Sequence, residues 1–297
     1  MKRGSDLVIT SCSLLLALNI CSAAETGEED PIHRIQAGDI TMGYEVSGDG
    51  YPLVLITGFG GTMDMWDPDV VSILSGQYRV IAFDNRGMGE TTAGERAFSI
   101  EQFADDAAAL MDSLGISKAH VLSWSMGTEI ALELVLRHPE KVDRLILYAG
   151  DYQVEACPPS PEVFQTLTDT SGSAGERGTR MMGLLFPPEW LASNLDRVIG
   201  VFSGFTETSS AENIQKQADA MDSWTGAGNR LGLIESPTLL ITGTEDVLTP
   251  PQNSLMLLEG IPGAQLEQIE NGGHGVMYQY PELFAGLVLD FLEQPAH

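Results

Sequence analysis

Several stretches of the chain are apolar almost without interruption: Leu53-Val54-Leu55-Ile56, Val80-Ile81-Ala82-Phe83, Leu145-Ile146-Leu147-Tyr148 and Leu239-Leu240-Ile241. Runs of this length, bounded by Gly, Asp and Pro, predict strands covered on both faces, as in a parallel sheet. Ala119-His120-Val121-Leu122 reads as another, and Leu266 to Ile269 as the last. A different pattern opens the folded part. Ile32 to Val46 predicts two strands around the turn Gly38-Asp39, with Ile40, Met42, Tyr44 and Val46 alternating as in a half-buried strand. Between the strands the apolar spacing becomes helical. Ile100, Phe103, Ala107, Leu110, Met111 and Leu114 form one face of a helix that Ser99 caps, with Gln102 in capping-box position and Gly115 at its end. Further helices are predicted over Glu129 to Arg137, through Met256 and Leu258, and from Pro281 to about Leu292. Strand and helix alternate, which defines an α/β domain with a mostly parallel, doubly wound sheet. The alternation stops between Asp151 and Glu235, where apolar residues interrupted by Gly and Ser predict several short helices. This segment, 151–235, reads as a helical lid inserted after the sixth strand.

One strand turns into a helix with almost no loop between them. After Val121-Leu122 comes Ser123-Trp124-Ser125-Met126-Gly127-Thr128, and helical spacing begins at once. A turn this tight strains its central residue and points that side chain out of the sheet, with small residues needed two before and two after it. Ser125 is the central residue, Gly127 supplies one small neighbour, and Ser123 stands where the G-x-S-x-G pattern has glycine. Ser123 itself is excluded as the turn residue because Val121, two before it, is β-branched. Other loops at strand ends carry chemistry too. Thr57-Gly58-Phe59-Gly60-Gly61 lacks the features of a dinucleotide fingerprint and suits a loop whose backbone N–H groups approach a reacting oxygen. Asp84-Asn85-Arg86-Gly87-Met88-Gly89 follows the fourth strand, and Asp84 and Arg86 read as ties within that loop. Gly243 to Pro250 holds Glu245 and Asp246, and Asn271-Gly272-Gly273-His274-Gly275 holds the one histidine in a flexible glycine setting. His33, His120, His138 and His297 read as structural or surface residues.

Composition changes the picture in two places. The start of the chain has Lys2 and Arg3, a mostly apolar run from Leu7 to Ile20, and small Ser22-Ala23-Ala24 before Glu25, which predicts a signal peptide over 1–24 and an extracytoplasmic mature domain over 25–297. Cys21 raises lipid anchoring as an alternative, against which bulky Ile20 stands. The whole chain has 15 basic and 42 acidic residues. Removing 1–24 takes away Lys2, Arg3 and Asp6, so 13 minus 41 leaves −28. Such a charge argues against nucleic acid or an anionic membrane as partner. Of three cysteines only Cys157 lies outside the leader, so no internal disulfide is expected, and it reads as a loop residue beside Pro158 and Pro159. No metal-ligand spacing is found, and neither metal nor cofactor is expected.

Taken together, Thr57 to Gly61, Asp84 to Gly89, Ser123 to Gly127, Gly243 to Pro250 and Gly272 to Gly275 resemble, in order, the landmarks of the α/β-hydrolase fold superfamily. The likeness runs from Ile32 to Leu292, and is to its lidded serine esterases and cofactor-free haloperoxidases or perhydrolases. It implies a triad of nucleophile Ser125, acid Asp246 and base His274, with Glu245 and Asp151 as the competing acids. It also implies an oxyanion hole from the backbone N–H groups of Phe59 and Met126, with Gly60 the alternative to Phe59. The expected activity is hydrolysis of an ester or related acyl bond through an acyl-enzyme. Perhydrolase, lactonase and carbon–carbon bond hydrolase chemistry remain alternatives, as does a ligand-binding relative with negligible turnover. Aspartate at the elbow marks dehalogenases and epoxide hydrolases, and Ser125 is not aspartate. The expected partner is a small molecule with an apolar acyl group, held against Met181, Met182, Leu185, Phe186, Trp190 and Phe202 of the lid.

Overall fold

A computed structural model describes residues 32–153, 157–169, 171–205 and 208–295. The expected signal peptide, Cys21 and His297 lie outside the described residues.

Eight strands form one sheet in the order β1-β2-β4-β3-β5-β6-β7-β8. The hairpin of β1 (His33–Ala37) and β2 (Ile40–Ser47) pairs antiparallel, and β2 is antiparallel to β4 (Tyr78–Phe83). From β4 onwards every pairing is parallel, through β3 (Tyr51–Ile56), β5 (Ala119–Trp124), β6 (Val142–Tyr148), β7 (Thr238–Gly243) and β8 (Gln265–Ile269). The uninterrupted apolar runs are explained by the two cores that sandwich the sheet. Val54, Ile56, Ile81, Val121 and Leu145 point to one face, and Leu53, Leu55, Val80, Leu122 and Ile146 to the other. Both alternating sets are buried, so the central strands show no alternation of apolar and exposed polar positions.

Helix α1 (Pro68–Ser75) and the terminal pair α9 (Val276–Gln279) and α10 (Pro281–Leu292) cover one face, while α2 (Ile100–Ser113), α3 (Met126–Arg137) and α8 (Gln252–Gly260) cover the other. Ser99 caps α2 by accepting from Gln102 N–H at 3.0 Å. The reciprocal half of the capping box is missing, because the Gln102 amide instead donates to Asp106 at 2.9 Å. Asp106 needs that donor, being buried beside Arg86, which bonds Asp106 through Nε at 2.7 Å and Asp39 through Nη2 at 2.8 Å. Arg86 and Asp84 are therefore ties, as their place in the chain implies. Asp84 accepts from the backbone of Met63 and Glu90.

Among the described residues between β6 and β7 stand four helices, α4 (Pro161–Thr168), α5 (Ala174–Leu185), α6 (Pro188–Phe202) and α7 (Ala211–Ser223), followed by a 3-10 turn, Gly228–Leu233. Each of the four starts after a Ser or Pro, and Ser173 with Glu176 completes a true capping box on α5. The insertion packs down through Met181, Leu185, Val198 and Phe202 onto the same core as α10.

Candidate active site

Ser125 stands between β5 and α3 at φ 57°, ψ −128°. That positive φ is costly for a residue with a Cβ and persists only where its surroundings impose it. They do so here. Ser125 N–H donates to the carbonyl of Tyr148 on β6 at 3.0 Å, and Thr128 bonds the Ser125 carbonyl through both N–H and hydroxyl. Gly127 is required because a Cβ there would lie 2.3 Å from the carbonyl oxygen of Ile56. Serine is tolerated at 123 because its hydroxyl points along the sheet and donates to Ile146 O at 3.1 Å.

His274 is brought to the same sheet end by close contact between two loops. A Cβ on Gly243 would fall 2.2 Å from the carbonyl oxygen of Gly272, so the acid loop and the histidine loop touch through bare backbone. Glu245 N–H then donates to Gly272 O at 2.8 Å. Asp246 turns inward and is 3 % exposed, while Glu245 faces solvent. The imidazole Nδ1 of His274 lies 2.9 Å from Asp246 Oδ2. The other carboxylate oxygen of Asp246 accepts from Leu248 and Thr249 N–H at 2.9 and 2.8 Å, which stops the carboxyl from rotating. Of the three competing acids, Asp246 is the one hydrogen-bonded to the imidazole. The His274 backbone is gripped as well: its carbonyl accepts from the Tyr148 hydroxyl, and Gly275 N–H donates to Leu185 O at 2.9 Å. The glycines flanking His274 leave room for the insertion, since a Cβ on Gly273 would meet Leu185 O at 2.5 Å and one on Gly275 the Phe186 ring at 2.6 Å.

Ser125 and His274 line one cavity of about 430 Å³, together with Phe59 and Met126. Gly58 passes so close to Ser125 that a Cβ would lie 2.9 Å from the serine Cβ, which brings the β3 loop over the elbow. Gly60 N–H is already engaged by Gln217 Oε1 of α7 at 2.5 Å. That bond occupies the Gly60 N–H, while Phe59 lines the cavity with Gly58 and Gly61. Gln217 could not be read from the sequence, since it stands on a polar-looking helix 157 residues from its partner. Thr249 likewise carries no signal in the sequence, and its hydroxyl lies 3.4 Å from His274 Nδ1.

Met181, Leu185 and Phe202 reach the cavity as expected, but Met182, Phe186 and Trp190 are not among its walls. The reason is helical phase. Residues 181 and 185 are four apart and share one face of α5, whereas 182 is rotated by about 100° from 181. Phe186 and Trp190 pack on each other with ring centroids 5.1 Å apart, and Phe186 props the His274 loop instead. Glu129 and Asp151 also line the cavity. Asp151 does not serve His274 here.

A parallel sheet carrying a strained serine at a strand-to-helix elbow, beside a histidine and a buried aspartate, defines the α/β-hydrolase class. The alpha/beta hydrolase fold family model matches residues 51–281, and the chain belongs to that family. It is a hydrolase in the general sense that this membership and its relatives carry. It is 31 % identical over 263 residues to RutD of Azorhizobium caulinodans, named as a candidate carbamate hydrolase, covering 86 % of this chain and 96 % of that one. Among solved structures, the meta-cleavage product hydrolase CumD of Pseudomonas fluorescens IP01 is 26 % identical with a TM-score of 0.75, covering 88 % of this chain and 97 % of that one. The enol-lactonase of Burkholderia xenovorans LB400 shares the fold at a TM-score of 0.75 and 23 % identity, covering 88 % and 100 %.

Proposed function

We propose that the protein is a serine hydrolase that cleaves an ester or related acyl bond of a small, largely apolar substrate through an acyl-enzyme. The observation that carries this reading is the 2.9 Å contact of His274 Nδ1 with buried Asp246, in the cavity that Ser125 also lines. With its Nδ1 proton directed to Asp246, the imidazole has Nε2 free to accept a proton. His274 takes the Ser125 proton as Oγ attacks the acyl carbon, and the imidazolium formed is stabilised by Asp246. The backbone N–H groups of Phe59 and Met126 donate to the oxyanion. His274 then protonates the leaving group, and water attacks the acyl-enzyme by the same steps in reverse roles. A carbamate is attacked at carbon in the same way, and the similarity to RutD brings carbamates in as a second substrate class.

Labelling with a fluorophosphonate, lost in Ser125→Ala, tests the nucleophile. A panel of p-nitrophenyl esters, a lactone and an aryl carbamate then tests the bond cleaved. No labelling of the wild type would remove the reading; carbamate turnover without ester turnover would move it to the second class.

Export belongs to the same proposal. Lys2, Arg3, the apolar run to Ile20 and Ser22-Ala23-Ala24 support cleavage before Glu25. Intact-mass measurement of the protein from its host is expected to give a chain starting at Glu25, and a retained Met1 or a lipid mass on Cys21 would contradict it.

A further inference from the structure

The cavity beside Ser125 is walled mostly by apolar side chains, yet two carboxyl groups face into it, Glu129 from α3 and Asp151 from the turn after β6. Glu129 is 3 % exposed. Its Oε2, and Oδ1 of Asp151, are buried without a hydrogen-bond partner in the protein. The two are brought together where the Gly150 backbone meets the Thr128 side chain: a Cβ on Gly150 would fall 1.8 Å from Thr128 Oγ1, so the chain leaving β6 lies directly on the first turn of α3. Burial raises Glu129 well above the usual carboxylate range, and the charge of Asp151 raises it further. Burial likewise pushes Asp151 up to about 7. Both shifts have one cause, two carboxyl groups enclosed together away from water.

Buried polar atoms are rarely left unpaired, and an unmatched carboxylate in an apolar cavity is costly. Among the described residues no lysine or arginine lines this cavity. A cation that complements the pair therefore has to be brought by what enters the cavity. Water can bond the two carboxyl groups in the free protein, and a ligand cation that displaces it gains a charge-assisted hydrogen bond. Glu129 stands in the first turn of α3, whose N-cap is Ser125, and both residues line the same cavity.

We infer that Glu129 and Asp151 form an amine-recognition subsite, selecting acyl substrates that carry a protonated amino group on the acyl chain. This rests on the serine-hydrolase reading and narrows its substrate class. An ammonium placed against the two carboxyl groups is attracted, and a carboxylate there is repelled. The apolar walls hold the chain that joins the amine to the acyl carbon.

The test compares two fluorophosphonates of equal length, one with an n-pentyl arm and one with a 4-aminobutyl arm, by their second-order rates of labelling Ser125. Wild type, Glu129→Gln, Glu129→Leu and Asp151→Asn are run in 0.5 M salt, which screens the general negative charge of the surface. The amino-to-pentyl rate ratio is expected to fall about tenfold or more in each variant, as loss of one charge-assisted hydrogen bond implies. Glu129→Gln and Asp151→Asn are nearly isosteric, so the comparison stands even if Glu129→Leu does not fold. A ratio unchanged across wild type and variants, with Ser125 labelled throughout, overturns the subsite and leaves the hydrolase reading intact. Failure of both probes on wild type overturns the hydrolase reading and the subsite with it.

Discussion

Ser125 is held at φ 57° by a bond to Tyr148 O and by Thr128, and its side chain is presented to the cavity rather than to the core. Because nucleophile and base act as one unit, Ser125→Ala and His274→Ala are each expected to lower kcat by factors of about a million while leaving thermal unfolding near wild type. Asp246→Asn keeps the shape but removes the acceptor that fixes the imidazole tautomer, with an expected loss of about ten thousandfold. Asp151→Asn on a neutral ester is expected to lose far less. A larger loss for Asp151→Asn than for Asp246→Asn would reassign the acid. The two small residues flanking Ser125 differ sharply in what they tolerate. Gly127→Ala places a methyl 2.3 Å from Ile56 O, a backbone atom that cannot move aside, and is expected to cost several kcal/mol or abolish folding. Ser123→Gly loses only the bond to Ile146 O and is expected to shift stability by about 1 kcal/mol in chemical denaturation.

At the scale of the element, the insertion between β6 and β7 does two jobs with different residues. The Met181 and Leu185 face of α5, with Phe202 of α6, meets the cavity, while Phe186 and the Leu185 carbonyl hold the His274 loop. Each methylene an apolar wall can bury adds about 0.8 kcal/mol, so kcat/KM on p-nitrophenyl acetate through decanoate is expected to climb several-fold per carbon and then fall at the far wall. Met181→Ala with Phe202→Ala is expected to move that optimum to longer chains. Met182→Ala is expected to leave the profile where it is. A profile that ignores the first pair would take the insertion out of chain-length selection. α6 is tied down independently, by Arg197 Nε donating to Tyr278 O at 3.0 Å and by its guanidinium beside Asp67 and Asp69.

The whole molecule carries 42 acidic residues against 15 basic ones, and no described helix is long and apolar enough to cross a membrane. Its pH response is expected to come partly from His120, far from the cavity at the start of β5. His120 is 6 % exposed, lies between Tyr51 and Tyr78 at centroid distances of 4.7 and 5.7 Å, and is pushed down to about 4 by burial, against the pull of Asp143. The unfolded chain binds a proton at this histidine below its ordinary value of 6.5, before the folded protein does. Stability from neutral His120 is therefore complete above about pH 6.5 and is lost as pH falls towards 4, by about 1–3 kcal/mol. His120→Phe is expected to flatten the fall in Tm between pH 7 and pH 5. An identical slope in wild type and variant would remove His120 from the acid response.

The strands, the insertion after the sixth of them, and the elbow around Ser125 were all legible in the order of residues. Their signals are local: an unbroken apolar run, its loss between 151 and 235, and small residues packed around one serine. Asp246 and His274 were legible only through the order of the loops that carry them. The rest was decided in three dimensions. Glu245 and Asp246 are chemically similar neighbours in sequence, and only the contact between Gly243 and Gly272 turns one inward and leaves the other in solvent. Phe59 and Gly60 are adjacent, and a glutamine 157 positions from Gly60 removes it from the choice. Met181 and Met182 differ by one residue and by about 100° around the helix axis. Glu129 and Glu133 are both buried, because α3 is enclosed between sheet, α2 and the insertion. Local pattern determines which element forms, since that depends on neighbours along the chain. Which polar atom ends up in the cavity depends on backbone approaches between segments distant in sequence, and those exist only once the sheet has assembled.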